Sequence, residues 1–446
     1  MKNLKTLCAV VLLAAITATS CKKDGDNAAD FSNRSTAAAD YSASTLPVTA
    51  VSGDITTNTT WDAGHVWEIS GIVTVRNGAT LTIAAGTYIK ATASTGLANG
   101  VLVIGKDGKI NATGTAANPI VFTSRNLLDN NAATVGKPGE FGGVILLGNA
   151  VTNAPGGTKL IEGLPDEAKY YYGGSSNADN RGIFKYVRIE YAGFKLAENV
   201  EVNGLTLGAV GSGTTVDHVQ VSYGLDDGFE FFGGTVSPSY LVALGNDDDQ
   251  FDFDNGFTGT ISFAVALADG NSTHSVSGGV SDSNGIESDN NAPAESSAFN
   301  LLPKTHPTLN NFSIIGTRTA ATATGVGYRN GIRERRGSEV TLNNSLVTGF
   351  NVGVSFDADA SATPSTVSGS NFQGFTTAIV ANTGTYSGSG NTSVTGTPAS
   401  ALTMAQPWFN TPGSPSTLDF FTTAGTKGAV TTANDGWLDS WTKFVY

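Results

Sequence analysis

Along most of the chain, short runs of alternating apolar and polar residues are bounded by glycine and asparagine rather than by helix caps. Examples are "GVLVIG" from Gly100, "GVILLG" from Gly143, "GLTLG" from Gly204, "GFEFFGG" from Gly228 and "QFDFDNG" from Gln250. "GIESDNN" from Gly285, "GIRERRG" from Gly331 and "GVSFDAD" from Gly353 continue the series. Aligned on the leading apolar residue, the anchors are Val101, Val144, Leu205, Phe229, Phe251, Ile286, Ile332 and Val354, extended by Ile379. The closest anchors lie about 22 to 24 residues apart, the length of one coil of a β-solenoid. No long stretch places apolar residues at helical spacing.

The pattern therefore predicts an all-β chain: a right-handed parallel β-helix, one elongated domain with terminal caps. Its coils are expected over residues 59–400, opening with a strand, a turn at Asn77-Gly78 and another strand. A C-terminal coil and aromatic cap follow over 401–446, built on "NDGWLDSWTKFVY". A β-propeller fits less well, because its blades need roughly 40 to 50 residues each. The wider gaps between anchors hold extra coils or long loops. "PGGTKLIEGLPDEAKYYYGGSSNADN" has no strand alternation and reads as such a loop.

Strand alternation also sorts the acids. With Phe229, Phe231, Phe251 and Phe253 inward, Glu230, Asp252 and Asp254 point outward. Two rungs on, Glu287, Asp289, Arg333 and Arg335 do the same. Two outward columns result: Glu230, Asp252, Glu287, Arg333, beside Phe232, Asp254, Asp289, Arg335. Asp226, Asp227, Asp247, Asp248, Asp249 and Asp282 stand just before these strands. Glu334 falls on the inward side, which is costly without an arginine partner, so a shift of the strand is expected at that rung.

Composition narrows the address. The net charge of −13 argues against nucleic acid or an anionic membrane surface as partner. Lys2 and Lys5 precede an apolar run from Leu7 to Ile16 that is too short to span a bilayer. Small residues then lead into Cys21 in "ATSCKKDGD". This resembles a bacterial lipoprotein signal over residues 1–20, with Ala18 where leucine is usual and Cys21 as the lipidated residue. Residues 21–58 read as a polar tether. The expectation is an outer-membrane lipoprotein of the cell envelope, held by a lipid anchor. Cys8 and Cys21 are the two cysteines, so loss of the signal leaves no disulfide to form.

"LIEGLPDE", "KYVRIEYAG", "DDGFEFFGGTV", "GNDDDQFDFDNGFTG" and "WLDSWTKF" resemble a widespread group of secreted proteins and lipoproteins common in Bacteroidota. The resemblance implies the β-helix and a surface address, and supplies no activity. For the acidic columns three readings stay open. One is structural: acids that cap turns and pair with the arginines. A second is a Ca²⁺ site on Asp252, Asp254, Glu230 and Glu287, since hard cations take several carboxylate oxygens. In that setting the binding face adds Asp289, Arg335 and the loop residue Tyr171, with polysaccharide or other envelope proteins as partners.

The third reading is a polysaccharide hydrolase or lyase. The rungs "LDDG", "NDDD" and "NGIRERRG" are similar to those of polygalacturonases, also parallel β-helices. That similarity implies Asp227 with Asp248 or Asp249 as an acid–base pair, and Arg333 as the binder of a uronate carboxylate. The polygalacturonase histidine is missing at its rung, where Gly285, Ile286 and Glu287 stand, and His274 is displaced from it.

Overall fold

The computed structural model describes residues 42–92, 100–131, 134–197, 200–269, 275–277, 280–317, 320, 328–397, 427–430, 437–438 and 440–444. Among the described residues, twenty-four strands join in one sheet that winds into a right-handed parallel β-helix with three ladders of stacked strands. On the first ladder Phe229 pairs with Phe251, Phe251 with Ile286, Ile286 with Ile332, and Val354 with Ile379. The inward phenylalanines stack: Phe229 on Phe251 at 5.0 Å between ring centres, Phe231 on Phe253 at 5.2 Å. Each such contact contributes about 0.5–1.5 kcal/mol beyond burial of the rings.

The register corrects three expectations and resolves one open choice. Val48–Ile55, read as part of the tether, is a strand paired in parallel with Val66–Val75. Leu102, not Val101, pairs with Val144, so the "VLVI" rung is turned by one residue. Leu102 and Ile104 enter the core, whereas Val101 and Val103 lie in a separate apolar cluster outside it. An unbroken apolar run carries no alternation, so its facing is decided by what covers the outer side. Next, Val144 pairs directly with Leu205, so no extra coil fills that gap. Residues between Leu147 and Gly182 leave the solenoid instead, and Lys159–Leu160 and Tyr171–Tyr172 pair there as a short antiparallel ribbon.

Third, the strand Asn330–Arg335 does not shift at Glu334. Glu334 stands inside the solenoid, fully buried, opposite Ser288 of the neighbouring rung. The Ser338 hydroxyl donates to its Oε2 at 2.7 Å, while Oε1 has no hydrogen-bond partner. Burial pushes this carboxyl up to about 7. Burial thus favours the neutral form of this inward acid, and no arginine pairs with it among the described residues.

Between the second and third ladders the chain turns at one residue of positive φ. Tyr186, His218, Tyr240, Phe263, Asn311 and Asn344 occupy that corner on successive coils. The first four rings stack at 4.4, 4.5 and 5.2 Å. Bulky residues rarely adopt this conformation, so the sequence pattern does not disclose the corner.

The aromatic C-terminus also departs from expectation. Its described residues do not lie over the last coil but run back along the side of the solenoid as a strap. The Gly428 amide donates to the Asn344 carbonyl at 2.8 Å, Trp437 packs on Tyr240, and Trp441 packs on Tyr186 and His218. The Lys443 amide donates to Gln220 Oε1 at 2.8 Å. Val242, Leu244, Val265 and Leu267 point out of the third ladder and share an apolar cluster with Trp441 and Leu438. That outward apolar stripe is what the strap buries.

Candidate functional site: an acidic cleft beside the first ladder

The outward positions of the first ladder form a cleft of about 480 Å³. Register brings its acids together as alternation requires: Glu230 beside Asp252, Asp252 beside Glu287, Glu287 beside Arg333, and Asp289 beside Arg335. The columns face outward yet lie sheltered. Glu230 and Glu287 are 5% and 4% exposed, because loops wall the cleft on both sides.

One wall is the excursion after residue 148. Tyr172 packs on Phe232 at 5.8 Å and donates from its hydroxyl to Asn255 Oδ1 at 2.8 Å. Lys159 donates to the same oxygen at 3.0 Å and pairs with Glu295 at 2.8 Å. Asn153 Nδ2 donates to the Asn290 carbonyl at 2.7 Å, tying this wall to the segment after the "GIESDNN" strand. Glu162 on the excursion, Glu201 on the strand Val200–Val202, Ser275 and Asp282 also line the cleft.

The charge is one-sided. Among the described residues, twelve carboxyl side chains line the cleft against three basic ones: Lys159, Arg335 and Arg336. Those three already have partners. Arg335 pairs with Glu287 and, at 2.7 Å, with Asp289, while Arg336 pairs with Asp289 at 2.6 Å. Burial, reinforced by neighbouring carboxylates, holds Asp227, Glu230, Asp249 and Asp252 well above the usual carboxylate range. Asp254 is pushed up to about 7, first by burial and then by Asp289. Glu162 rises to about 7 through burial and Glu201. Burial carries Glu287 to about 8 against the pull of Arg335 and Arg333.

Among the described residues, oxygens of three groups approach within 4.8 Å of one another: Asp226, Asp227 and Asp248; Asp227, Glu230 and Asp252; Asp249, Asp252 and Glu287. Each could hold a hard divalent cation, because cation binding requires converging carboxylate oxygens. Of the candidates read from sequence, Asp227, Asp248, Asp249, Glu230, Asp252, Asp254, Glu287, Asp289 and Arg335 all line this one cleft. Asp254 and Asp289 belong to none of the three groups. Arg333 is not among the lining residues; Asp282, Glu287 and Asp357 hold it at 2.6, 3.2 and 3.0 Å. Tyr171 is also outside the lining and donates to Asp166 at 2.8 Å. Cys21 and His274 lie outside the described residues.

Sequence reasoning missed Glu162, Glu201, Lys159 and Arg336. The first three sit on excursions, where no coil period assigns a face. Arg336 follows its strand at a positive φ, beyond the reach of alternation. The repeated "EG" and "DE" acids of "LIEGLPDE" were the available signal for Glu162.

A family model described as a pectate-lyase like beta helix domain matches residues 53–442, and the chain belongs to that family. No curated protein and no solved structure matches it.

Proposed function

Starting from a member of the pectate-lyase-like β-helix family, we propose a lipid-anchored cell-envelope protein with a binding role, whose acidic cleft takes up Ca²⁺. The carrying observation is the imbalance of twelve carboxyls against three basic groups that are already paired. Carboxylates on adjacent rungs, about 4.8 Å apart, repel one another unless a proton or a cation intervenes. Ca²⁺ suits such a site better than Mg²⁺, because it accepts six to eight oxygens in irregular geometry. A bound cation would also present open coordination positions to the hydroxyl or carboxylate oxygens of a glycan. Free arginines do not supply that role, since Arg333 and Arg335 are engaged by carboxylates.

The test is thermal unfolding of the full chain at pH 7.5 in chelator, in Ca²⁺ and in Mg²⁺. Ca²⁺ is expected to raise the midpoint by several degrees, since free ligand at a hundredfold its Kd stabilises by about 2.7 kcal/mol. An unchanged midpoint sinks the cation reading.

One observation favours the hydrolase alternative. Asp227 and Asp248 bring oxygens within 4.8 Å, and Asp227 is held toward its protonated form by burial and by Asp226. Close carboxyls of that kind, roughly 5 Å apart, are the arrangement of retaining glycosidases. If this reading holds, a panel of acidic and neutral glycans yields new reducing ends with the parent and none with Asp227→Asn. No turnover across the panel removes it.

A further inference from the structure

We propose that Lys159 and Asn255 join in an intramolecular isopeptide bond, formed with the help of Glu295, that fastens the excursion to the first ladder. Lys159 opens the short ribbon strand Lys159–Leu160, and Asn255 follows the rung Phe251–Asp254. Lys159 Nζ donates to Asn255 Oδ1 at 3.0 Å and pairs with Glu295 Oε1 at 2.8 Å. Asn255 Nδ2 donates to the other oxygen of the same glutamate, Oε2, at 3.2 Å. One carboxylate therefore spans an amine and the NH₂ group of the carboxamide which that amine touches. An ion pair needs only the lysine and the glutamate; the bridged carboxamide adds an electrophile and a leaving group.

The three groups are held in place. Asn255 is fully buried at a φ of 50°, and its backbone carbonyl accepts the Asn153 amide and the Thr152 hydroxyl, each at 2.9 Å. Glu295 Oε2 also accepts the Ala292 amide at 2.9 Å. The Tyr172 hydroxyl donates to Asn255 Oδ1 at 2.8 Å, where it can stabilise charge that develops on that oxygen. Burial, and then Asp254, push this hydroxyl well above the ordinary tyrosine range, so it stays a donor. Fixing amine and carboxamide side by side supplies the effective concentration that free amides lack. In the reaction Glu295 takes one proton from the lysine ammonium, and the freed amine adds to Asn255 Cγ. Glu295 returns that proton to Nδ2, the Cγ–Nδ2 bond breaks, and ammonia departs. The remaining extra proton on Nζ leaves through the same carboxylate, so the products are one amide and one ammonium ion. No oxidant, reductant or co-reactant enters.

Mass spectrometry of the denatured full chain, intact and after proteolysis, tests the bond. The parent is expected to be lighter than its sequence by one ammonia and to yield a branched peptide joining the segments of Lys159 and Asn255. Lys159→Arg and Glu295→Gln are expected at their full sequence masses, with linear peptides alone. A parent of full mass that gives linear peptides alone overturns the proposal. So does an ammonia loss that persists in Lys159→Arg, since a succinimide at Asn255-Gly256 loses ammonia without the lysine. A branched peptide formed by Glu295→Gln as fully as by the parent overturns the part given to Glu295. Should a variant not fold, the branched peptide in the parent's own digest carries the test.

Discussion

Glu334 is the residue where burial and charge conflict most plainly. It sits in the solenoid interior with one hydroxyl partner, and its carboxyl is pushed up to about 7. In the unfolded chain a glutamate titrates near 4.3. Between these values the folded state binds more protons than the unfolded one, so stability falls as pH rises through this window. The contribution is fully present below the unfolded value and lost as pH passes about 7, amounting to roughly 3–4 kcal/mol. Glu334→Gln removes that loss, since the amide stays neutral. The variant's unfolding midpoint should pull ahead of the parent's between pH 5 and pH 8; a constant gap across that range would contradict the buried neutral acid. Cleft acids add their own slope, so the difference between the two proteins is the informative quantity. That Glu334 points inward was legible from the period of two. That the rung tolerates it was not, because the compensating Ser338 lies beyond the strand end.

At the scale of elements, rungs with true alternation declared their faces. "FEFF" and "FDFD" place phenylalanines inside at positions the register confirms. The "VLVI" rung did not, because both of its faces are buried, one by the core and one by the excursion. The strap shows the same limit from the other side. Its tryptophans announce burial, but their target is the corner stack and the outward stripe of the third ladder, neither visible in local pattern. Trp441 is fully buried and donates from Nε1 to the Trp437 carbonyl at 2.6 Å, while the Arg188 guanidinium donates to the Trp441 carbonyl at 3.1 Å. Trp441→Ala should cost about 3–5 kcal/mol, read as a large drop in the unfolding midpoint. A drop of under a degree would mean that the strap is not part of the cooperative fold.

For the whole molecule, the cleft gathers much of the excess negative charge: twelve carboxyls against three basic groups in a chain of net −13. Such a concentration in a sheltered place weakens the fold unless protons or cations enter it. The solenoid supplies the rigidity that holds these acids together, since each rung is hydrogen-bonded on both sides. The proposed placement of the protein in the cell is a separate matter and rests on the N-terminal sequence alone. If Cys21 is the lipid attachment point, radiolabelled palmitate enters the parent and not Cys21→Ser, and the variant moves from the membrane to the soluble fraction. Equal labelling of both would refute the anchor.

By itself the sequence determined the coil repeat, the inward ladder of Phe229, Phe251, Ile286 and Ile332, and the gathering of acids on one outward face. These follow from a period of two within strands and a near-constant coil length, both local properties of the chain. Tertiary structure alone decided that this outward face is a walled cleft, that Arg333 and Tyr171 lie outside it, and that Glu162, Glu201 and Lys159 join it. The reason is geometric: excursions have no period, and where they fold back depends on contacts such as Tyr172 with Phe232 and Asn153 with Asn290, made across 60 and 137 residues of chain.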